Sequence, residues 1–262
     1  MVDGKISIIT VCFNCEGLIE RTIKSVIAQT YTNVQYIVID GGSTDNTLNI
    51  IGKYENKIDV MLSEIDKGIY DAMNKGLAYA TGDLIYFLNA GDHLCNNDVL
   101  RDVIEGLNAN PDSDIIYGDQ IYYDDTTEQR RSNYYANIPQ LLLNGCCHQT
   151  IFAKKSTFIK CGNFNSNYKV YGDLDWLLRA LIKSKLKMIY IGIPIAYYLK
   201  GGISETNRNK HYFEWLEITQ KNLNIHHLLY FAVSSPYSLY RYLMSRRWIL
   251  KTVQHQKINS AE

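Results

Sequence analysis

Residues 84–88, Leu-Ile-Tyr-Phe-Leu, are five apolar residues in a row without a polar interruption. Such a run predicts a strand buried on both faces, because a strand with one solvated face alternates apolar and polar residues. Asn89, Ala90, Gly91 and Asp92 follow directly, at the edge of an α/β sheet where ligands bind. The carboxylate of Asp92 suits Mg²⁺ or Mn²⁺ carried in by a diphosphate. The alternative is a plain turn, since Asn, Gly and Asp are all turn formers.

Three more short apolar runs precede this strand, and helical patterns separate them. Strands are predicted at residues 6–12, 34–39 and 58–62. Three helices are predicted: one at residues 18–29, one that begins after a cap at Ser43 or Thr44, and one at residues 69–79. The alternation predicts an α/β fold with a mostly parallel central sheet flanked by helices. No G-x-G-x-x-G follows the first strand and the chain has no G-x-x-x-x-G-K-[ST], which disfavours dinucleotide dehydrogenases and P-loop enzymes.

The second half of the chain has a different pattern. A strand is predicted at residues 114–117, a hairpin at 121–132, a strand or loop at 146–153, helices at 154–160, from 173 onward and at 207–223, and strand pieces at 189–193 and 195–199. Pro194 separates the last two pieces, as proline interrupts a strand ladder.

Composition sets limits on partners and compartment. Lys and Arg together number 27, as do Asp and Glu, so the overall charge predicts no nucleic-acid partner. The first residues lack the apolar core of a secretory signal, and no run of about 18 apolar residues exists. We therefore expect a cytoplasmic protein whose six cysteines are free thiols. A zinc or redox role for Cys12-x-x-Cys15 is the less favoured alternative, since no second C-x-x-C pair exists.

Six segments resemble, in this order, glycosyltransferase family 2: SIITVCFN, IVIDGGSTDNT, DKGIYDAMNKGL, YFLNAGD, CHQTIF and GDLDWLLR. The resemblance covers residues 5–204. It implies the GT-A fold, with a Rossmann-like nucleotide-binding half at residues 5–119 and an acceptor-binding half at 120–204, within a domain of residues 1–204. It also implies inverting transfer of a sugar from a nucleotide diphosphate to a hydroxyl of a glycan or lipid-linked acceptor in surface-polysaccharide assembly. The nucleotide is expected to be UDP, as is usual in this family.

The resemblance places the nucleotide sugar against residues from several of these segments. Asp40 follows a buried strand, and its carboxylate could accept a hydrogen bond from the N3–H of uracil. The alternative for Asp40 is to shape the turn of DGGSTD. The full predicted set is Thr10, Val11, Cys12, Asn14, Asp40, Asp66, Lys67, Asn74, Asn89, Ala90 and Gly91.

The family carries Asp-x-Asp-Asp, or a shortened form, where this chain reads Asn89-Ala90-Gly91-Asp92. Two carboxylates are missing, and Asp92 matches the one that reaches the cation. A bound Mn²⁺ or Mg²⁺ would therefore take its other ligands from diphosphate oxygens and water. This departure keeps open an alternative from another class, a catalytically inactive protein of the same fold that either binds nucleotide sugars or serves as a scaffold. A sugar-nucleotide pyrophosphorylase is disfavoured, because no Lys or Arg stands in the VCFNCEG loop.

The family's catalytic base is an Asp at the head of a helix, and Asp173 in GDLDWLLR matches it. Asp175 is the second candidate, and the alternative for Asp173 is to stabilise the helix start. His148 in CHQTIF is expected on the acceptor side, or as a structural histidine. Gly201, Gly202 and Ser204 are expected in a loop that closes over the sugar donor.

The last segment, residues 205–262, is predicted to be helical. From Lys221 onward it carries six Lys and Arg residues, interleaved with aromatic residues, and one acidic residue, Glu262. Such a pattern predicts contact with a membrane surface through residues 226–251, at the inner face of the cytoplasmic membrane. The alternative is a helix packed on the catalytic domain or on a second subunit of a homo-oligomer.

Overall fold

The computed structural model describes residues 4–124, 126–135, 137–144, 147–201 and 211–223. The strands in chain order are β1 Ile6–Cys12, β2 Val34–Asp40, β3 Val60–Ser63, β4 Leu84–Phe87, β5 His93–Leu94, β6 Ile115–Tyr123, β7 Glu128–Arg131, β8 Ile151–Lys154 and β9 Met188–Leu199. The helices are α1 Ile19–Ile27, α2 Thr47–Gly52, α3 Ile69–Tyr79, α4 Val99–Ala109, α5 Ile138–Asn144, α6 Lys155–Cys161, α7 Gly172–Leu178 and α8 Tyr212–Asn222. Short 3₁₀ turns cover Glu55–Lys57 and His148–Thr150, and a π-helical turn, Arg179–Lys183, continues α7.

The strands of this part of the chain form one mixed sheet in the order β3-β2-β1-β4-β8-β6-β9-β5, with β7 on β6. The first four strands pair in parallel, whereas β8 runs antiparallel to both β4 and β6. The predicted α/β class is confirmed. Because β8 is antiparallel, its start lies beside the carboxyl end of β4, which brings the two halves of the chain together at one edge of the sheet.

The apolar run of β4 fills both faces of the sheet. Leu84 and Tyr86 lie in the cluster covered by α1, α2 and α4, while Ile85 and Phe87 lie in the cluster covered by α3, α6 and α7. The ring of Tyr86 stacks on Phe152 of β8 with 4.0 Å between centroids. Burial on both faces is the reason why no polar residue interrupts the strand.

Two local predictions are wrong. The strand expected to break at Pro194 is one strand, β9, because Pro194 lies opposite Asp119 at an irregularity in the β6 register, where its missing N–H costs no regular ladder bond. The helix expected after a cap at Ser43 or Thr44 begins only at Thr47, with Asn46 as its cap. The hydroxyl of Ser43 donates to the carboxylate of Asp40 instead.

Other predictions concern residues beyond those described. Residues 202–210 and 224–262 lie outside the described ranges. The membrane or subunit contact of residues 226–251 therefore stays a prediction, and so does the domain boundary at residue 204. Five of the six cysteines lie within the described ranges, and these are free thiols: Cys12, Cys15, Cys95, Cys147 and Cys161.

Candidate active site

The end of β1 reaches the ligand edge of the sheet, but most of its side chains point into the core. Thr10 is fully buried, with its Oγ1 3.1 Å from the hydroxyl of Tyr36. Val11 and Cys12 are each 6% exposed. The next residue, Phe13, is 61% exposed. Thr10, Val11 and Cys12 therefore lie buried beneath this edge of the sheet, and Phe13 presents its ring to solvent.

Asp40 ends β2, and its carboxylate organises the loop that follows. It accepts hydrogen bonds from the N–H of Gly42 at 3.1 Å, the N–H of Ser43 at 2.9 Å, and the hydroxyls of Ser43 and Ser63. Burial alone would raise the pKa of Asp40, but the hydroxyl and backbone donors together hold it below its usual value. The ionised side chain thus shapes the turn, as the alternative prediction states. A contact with a nucleotide base stays a prediction.

Asn14 joins this loop to the one after β1. Its backbone adopts a left-handed conformation, with φ at 46°, which asparagine tolerates better than most residues. Its Oδ1 accepts from the N–H of Thr44 at 2.9 Å, and its own N–H donates to Oγ of Ser43 at 2.8 Å. Asn14 therefore holds two loops of the predicted nucleotide pocket in a fixed relation.

Phe13 and Asp66 both lie against Gly41 at this edge. A Cβ built on Gly41 would overlap with Oδ2 of Asp66 and lie 3.5 Å from the Phe13 ring, so a larger residue at this position would displace the carboxylate. Oδ1 of Asp66 accepts from the N–H of Gly68 at 2.7 Å. Lys67 is exposed, and its carbonyl accepts from Nζ of Lys169 at 2.7 Å. An exposed aromatic ring beside a half-buried carboxylate is an arrangement that can hold a planar base.

A second group of side chains lies at the end of β4. Nδ2 of Asn89 is 2.9 Å from Nε2 of His148, and Nδ1 of His148 is 3.0 Å from Oδ2 of Asp173. The side chains of His148 and Asp173 are 16% and 14% exposed. Oδ1 of Asn89 is buried and has no hydrogen-bond partner within the described residues. The structure thus brings three predicted residues from distant parts of the chain into one connected group.

Asp173 lies in the first turn of α7, where a carboxylate is favoured. Its Oδ1 accepts from the N–H of Leu174 at 2.8 Å and lies 3.2 Å from the hydroxyl of Tyr70, which also reaches the carbonyl of Val170 at 2.7 Å. Burial, together with the charge of Asp173, raises the pKa of Tyr70 well above its usual value, so its hydroxyl keeps its proton. Anchored in this way, Asp173 retains an unused lone pair on Oδ2.

Asp175, the second candidate for the base, points away from this group. Its side chain is 2% exposed and pairs with Nε of Arg179 at 2.9 Å. Its other oxygen accepts from Nδ2 of Asn222 in α8 at 3.2 Å. Two residues apart on a helix, Asp173 and Asp175 face in different directions. Asp175 therefore ties α7 to α8, and Asp173 is the carboxylate that faces the ligand edge.

Asp92 is 5% exposed, and each of its oxygens already accepts one hydrogen bond. Nε2 of Gln149 donates to Oδ2 at 2.7 Å, and the N–H of Leu199 donates to Oδ1 at 3.1 Å. Burial raises the pKa of Asp92 to about 6, although both hydrogen bonds act in the opposite direction. The side chain thus joins the end of β4 to the start of β8 and the end of β9.

The residues around Asp92 fit only one kind of cation site. Within the ranges that the structure describes, no three His, Cys, Asp or Glu side chains gather in a metal-binding group. Each carboxylate oxygen of Asp92 has a second lone pair beyond the hydrogen bond it accepts. The chain can therefore supply one ligand to a cation that arrives with a diphosphate, and phosphate oxygens and water would fill the rest.

Three further predicted positions have mainly backbone roles. The amide of Asn74 is occupied at both ends by the backbone of Phe164, at 2.9 and 3.1 Å. Gly91 has φ of 102°, and its carbonyl accepts from the hydroxyl of Tyr123 at 2.7 Å. Gly201 is exposed with φ of 84°. Ala90 is half-buried beside Asn89, and Gly202 and Ser204 lie outside the described residues.

The raised pKa of Asp92 predicts a pH-dependent loss of stability. Between its ordinary pKa of 3.8 and about 6, the folded protein keeps a proton that the unfolded chain releases. The free energy of unfolding therefore falls as the pH rises through this range, by about 3 kcal/mol in total. Asp92→Asn removes this titration. Denaturant titrations at pH 4 to 7 should show the mutant gaining stability relative to wild type as the pH rises.

The slope of the unfolding free energy against pH, compared between wild type and Asp92→Asn, separates the titration of Asp92 from other contributions. Burial lowers the pKa of His93 to about 4, so His93 contributes the opposite trend, but equally in both proteins. Altered hydrogen bonds to Gln149 would shift the free energy of unfolding of the mutant by a constant amount, which does not change its slope against pH. Parallel curves for wild type and mutant would contradict the prediction.

A profile described as "Glycosyl transferase family 2" matches residues 7–164, which span the ends of β1, β2 and β4 and the His148 turn. The chain belongs to glycosyltransferase family 2. The predicted family and the predicted enzyme class are both confirmed.

Curated relatives extend this family-2 match over most of the chain. A "PGL/p-HBAD biosynthesis glycosyltransferase" of Mycobacterium tuberculosis is 31% identical over 219 residues, which are 82% of this chain and 85% of the relative. A second M. tuberculosis glycosyltransferase is 32% identical over 180 residues, covering 68% of this chain and 69% of the relative.

Two solved structures show the same fold as this family-2 chain. Staphylococcus aureus TarS 1-349 in complex with UDP-GlcNAc superposes with a TM-score of 0.69 at 19% identity, over 87% of this chain and 70% of TarS. The mannosyltransferase PcManGT from Pyrobaculum calidifontis, in complex with GDP-Man and Mn²⁺, gives 0.67 at 16% identity, over 92% of this chain and 73% of PcManGT. The predicted GT-A fold is confirmed.

The structure of this glycosyltransferase adds three residues that the sequence analysis did not single out: Phe13, Tyr70 and Gln149. Phe13 could have been found as an aromatic residue in the loop directly after a buried strand. Gln149 follows His148 in the CHQTIF segment. Tyr70 gave no signal, because its link to Asp173 spans 103 positions of the chain. No helix among the described residues is long and apolar enough to span a membrane.

Proposed function

We propose that the protein is an inverting glycosyltransferase that moves a sugar from a UDP-linked donor to a hydroxyl of a glycan or lipid-linked acceptor in surface-polysaccharide assembly. The observation that carries the proposal is Asp173: a half-buried carboxylate, anchored on Oδ1 by Leu174 and on Oδ2 by His148, with one unused lone pair. A general base needs a fixed acceptor of this kind within reach of the hydroxyl proton.

The proposed reaction is a single displacement. The acceptor hydroxyl gives its proton to Oδ2 of Asp173 while its oxygen forms a bond to the anomeric carbon of the sugar. The bond from that carbon to the diphosphate breaks, and the nucleoside diphosphate leaves with the electron pair. A cation held by Asp92 would neutralise charge on the leaving diphosphate. The buried, unpartnered Oδ1 of Asn89 is an atom among the described residues that can accept from a ribose hydroxyl.

For the base of the nucleotide, we propose that Phe13 stacks on one face and Asp66 lies beside it. The 61% exposure of Phe13 supports this assignment, and so does the contact of both residues with the position of Gly41. The wider pocket comprises the loops held by Asn14 and Asp40. Two findings on other proteins support a nucleotide-sugar donor: TarS binds UDP-GlcNAc and PcManGT binds GDP-Man with Mn²⁺.

Replacing Phe13 with Ala should weaken nucleotide binding. Stacking of a base on an aromatic side chain contributes about 1–3 kcal/mol, so the Kd for UDP should rise roughly 5- to 150-fold. Calorimetric titration of both proteins would measure this change. Ile159→Ala is the control, because Ile159 is 81% exposed on α6 and should leave Kd unchanged. Equal affinity of Phe13→Ala and wild type would remove Phe13 from the proposed pocket.

The proposal as a whole is tested by titrating UDP, GDP and dTDP into the protein, each with and without Mn²⁺. Tight binding of UDP alone, strengthened by Mn²⁺ in wild type but not in Asp92→Ala, supports the proposed sugar donor and the role of Asp92. Binding of GDP or dTDP instead would correct the nucleotide. If folded protein binds none of the three, the scaffold alternative without catalysis gains support.

The acceptor and the cellular site are further parts of the proposal. One of the M. tuberculosis relatives is named for PGL/p-HBAD biosynthesis, so acceptors from that biosynthesis belong in the same screen as polysaccharide intermediates. We place the protein at the inner face of the cytoplasmic membrane. The support is the basic and aromatic composition of residues 226–251. Contact of the same segment with a second subunit is the alternative.

A further inference from the structure

Asn89, His148 and Asp173 form a chain of hydrogen bonds that fixes where one proton lies. Asn89 follows β4, His148 opens the turn before β8, and Asp173 lies in α7. Nε2 of the ring faces Nδ2 of Asn89 at 2.9 Å, and Nδ1 faces Oδ2 of Asp173 at 3.0 Å. Both nitrogens of His148 are therefore occupied, each by a group of defined hydrogen-bonding character.

The two neighbours of the ring require the same tautomer. An ionised carboxylate only accepts hydrogen bonds, so Nδ1 must carry the hydrogen that points at Asp173. The NH₂ group of an asparagine only donates, so Nε2 must offer its lone pair to Asn89. A neutral imidazole with its hydrogen on Nδ1 satisfies both contacts. The ring is thus held as a neutral donor to the carboxylate.

We propose that Asn89 is a positioning residue that acts through His148: by donating to Nε2 it keeps the ring neutral, with Nδ1–H aimed at Asp173. This inference rests on the proposed role of Asp173 as the base. A neutral donor orients Oδ2 and leaves the carboxylate basic. An imidazolium in the same place would form an ion pair with Asp173 and weaken its ability to take a proton from the acceptor hydroxyl.

The ring of His148 also has titratable neighbours. Besides Asp173, the carboxylate of Asp92 acts on His148 through space. Burial raises the pKa values of Cys147 and Tyr70 well above the usual range, so both stay neutral. The N–H of Asn89 occupies the lone pair of Nε2, which leaves the hydrogen on Nδ1 pointing at Asp173.

The lone pair of Nε2 needs a donor, which explains the amide at position 89. A carboxylate there could only accept, so Nε2 would have to carry a hydrogen. The ring would then either turn its Nδ1 lone pair toward Asp173, which repels it, or become an imidazolium between two carboxylates. Asn89→Asp restores a carboxylate that the family motif contains. In this chain it should lower turnover rather than raise it.

The test determines by NMR which ring nitrogen of His148 carries the hydrogen. Protein labelled with ¹⁵N in histidine is studied by NMR at pH 7.5 without ligand, and His148→Gln identifies the signals of His148. Wild type should show hydrogen on Nδ1 and a bare Nε2, and Asn89→Asp should show hydrogen on Nε2. A wild-type ring with hydrogen on Nε2, or on both nitrogens, would overturn the proposal. The readout needs no activity, so it stands even if the proposed function fails.

Turnover of a sugar donor that carries the nucleotide identified by the titrations gives the second readout. Asn89→Asp should lower kcat about tenfold or more, whereas Asn97→Asp, which adds the same charge at an exposed site, should match wild type. His148→Asn keeps an N–H near the position of Nδ1, and His148→Gln does not, so the first should retain more activity. Asn89→Asp with wild-type turnover, or equal losses for both His148 variants, would overturn the proposal.

Discussion

Asp173→Asn should lower kcat about 10²- to 10⁴-fold while leaving the Kd for the nucleotide unchanged. A general base contributes a factor of this size, and an amide cannot take the hydroxyl proton. The amide oxygen of the substituted side chain can still accept from the N–H of Leu174, as Oδ1 of Asp173 does, so the helix start should survive. The measurement is the initial rate of nucleoside diphosphate release, with Kd measured by calorimetry on the same samples.

The two readouts separate three outcomes. Loss of turnover with intact binding supports Asp173 as the base. Retained turnover would show that another group takes the proton and would end the proposed role. Loss of binding as well would show that the substitution disturbs the pocket. Asp112→Asn is the matched control, because the side chain of Asp112 is 86% exposed.

Asp175→Asn should have the opposite result: a large loss of stability with little change in kcat per folded molecule. The carboxylate of Asp175 is 2% exposed and pairs with Arg179, whose guanidinium also donates to the carbonyls of Cys161 and Asn163. Breaking one partner of a buried ion pair costs about 3–5 kcal/mol. For a chain of this size, the melting temperature should fall by roughly 6–20 °C.

Thermal unfolding of wild type, Asp175→Asn and Asp112→Asn would measure this effect, since Asp112→Asn should stay within about 2 °C of wild type. A melting temperature of Asp175→Asn near that of wild type would contradict the buried ion pair. A fall in kcat without a fall in stability would instead revive Asp175 as the base.

Most elements up to β4 could be predicted from the sequence, because local periodicity determines them, whereas the helix α4 was not predicted. The five apolar residues from Leu84 to Leu88 can only be satisfied by a strand covered on both faces, and the structure covers it on both. The course of β9 through Pro194 could not be predicted. It depends on a register irregularity with Asp119, more than 70 positions away, which no local pattern reveals.

The candidate site shows the same division. The resemblance and the expected helix start favoured Asp173 over Asp175. In the structure Asp173 contacts His148, whereas Asp175 is buried against Arg179, and the role of Asp173 as the base stays a prediction. The roles of Asn89 and His148 depend on a contact between residues 59 positions apart, so neither could be read from its own segment. Asp40 and Asn74 have residue types suited to binding, yet their polar atoms are used by neighbouring backbone and hydroxyl groups.

The position of β4 between β1 and β8 has a consequence for how the chain is made. During synthesis, β1, β2, β3 and β4 leave the ribosome well before β8, which begins at Ile151. Until β8 arrives, β4 is an apolar edge strand with one row of unpaired backbone groups, a known starting point for aggregation. Premature termination before residue 151 would therefore yield an aggregation-prone fragment rather than a small autonomous nucleotide-binding protein.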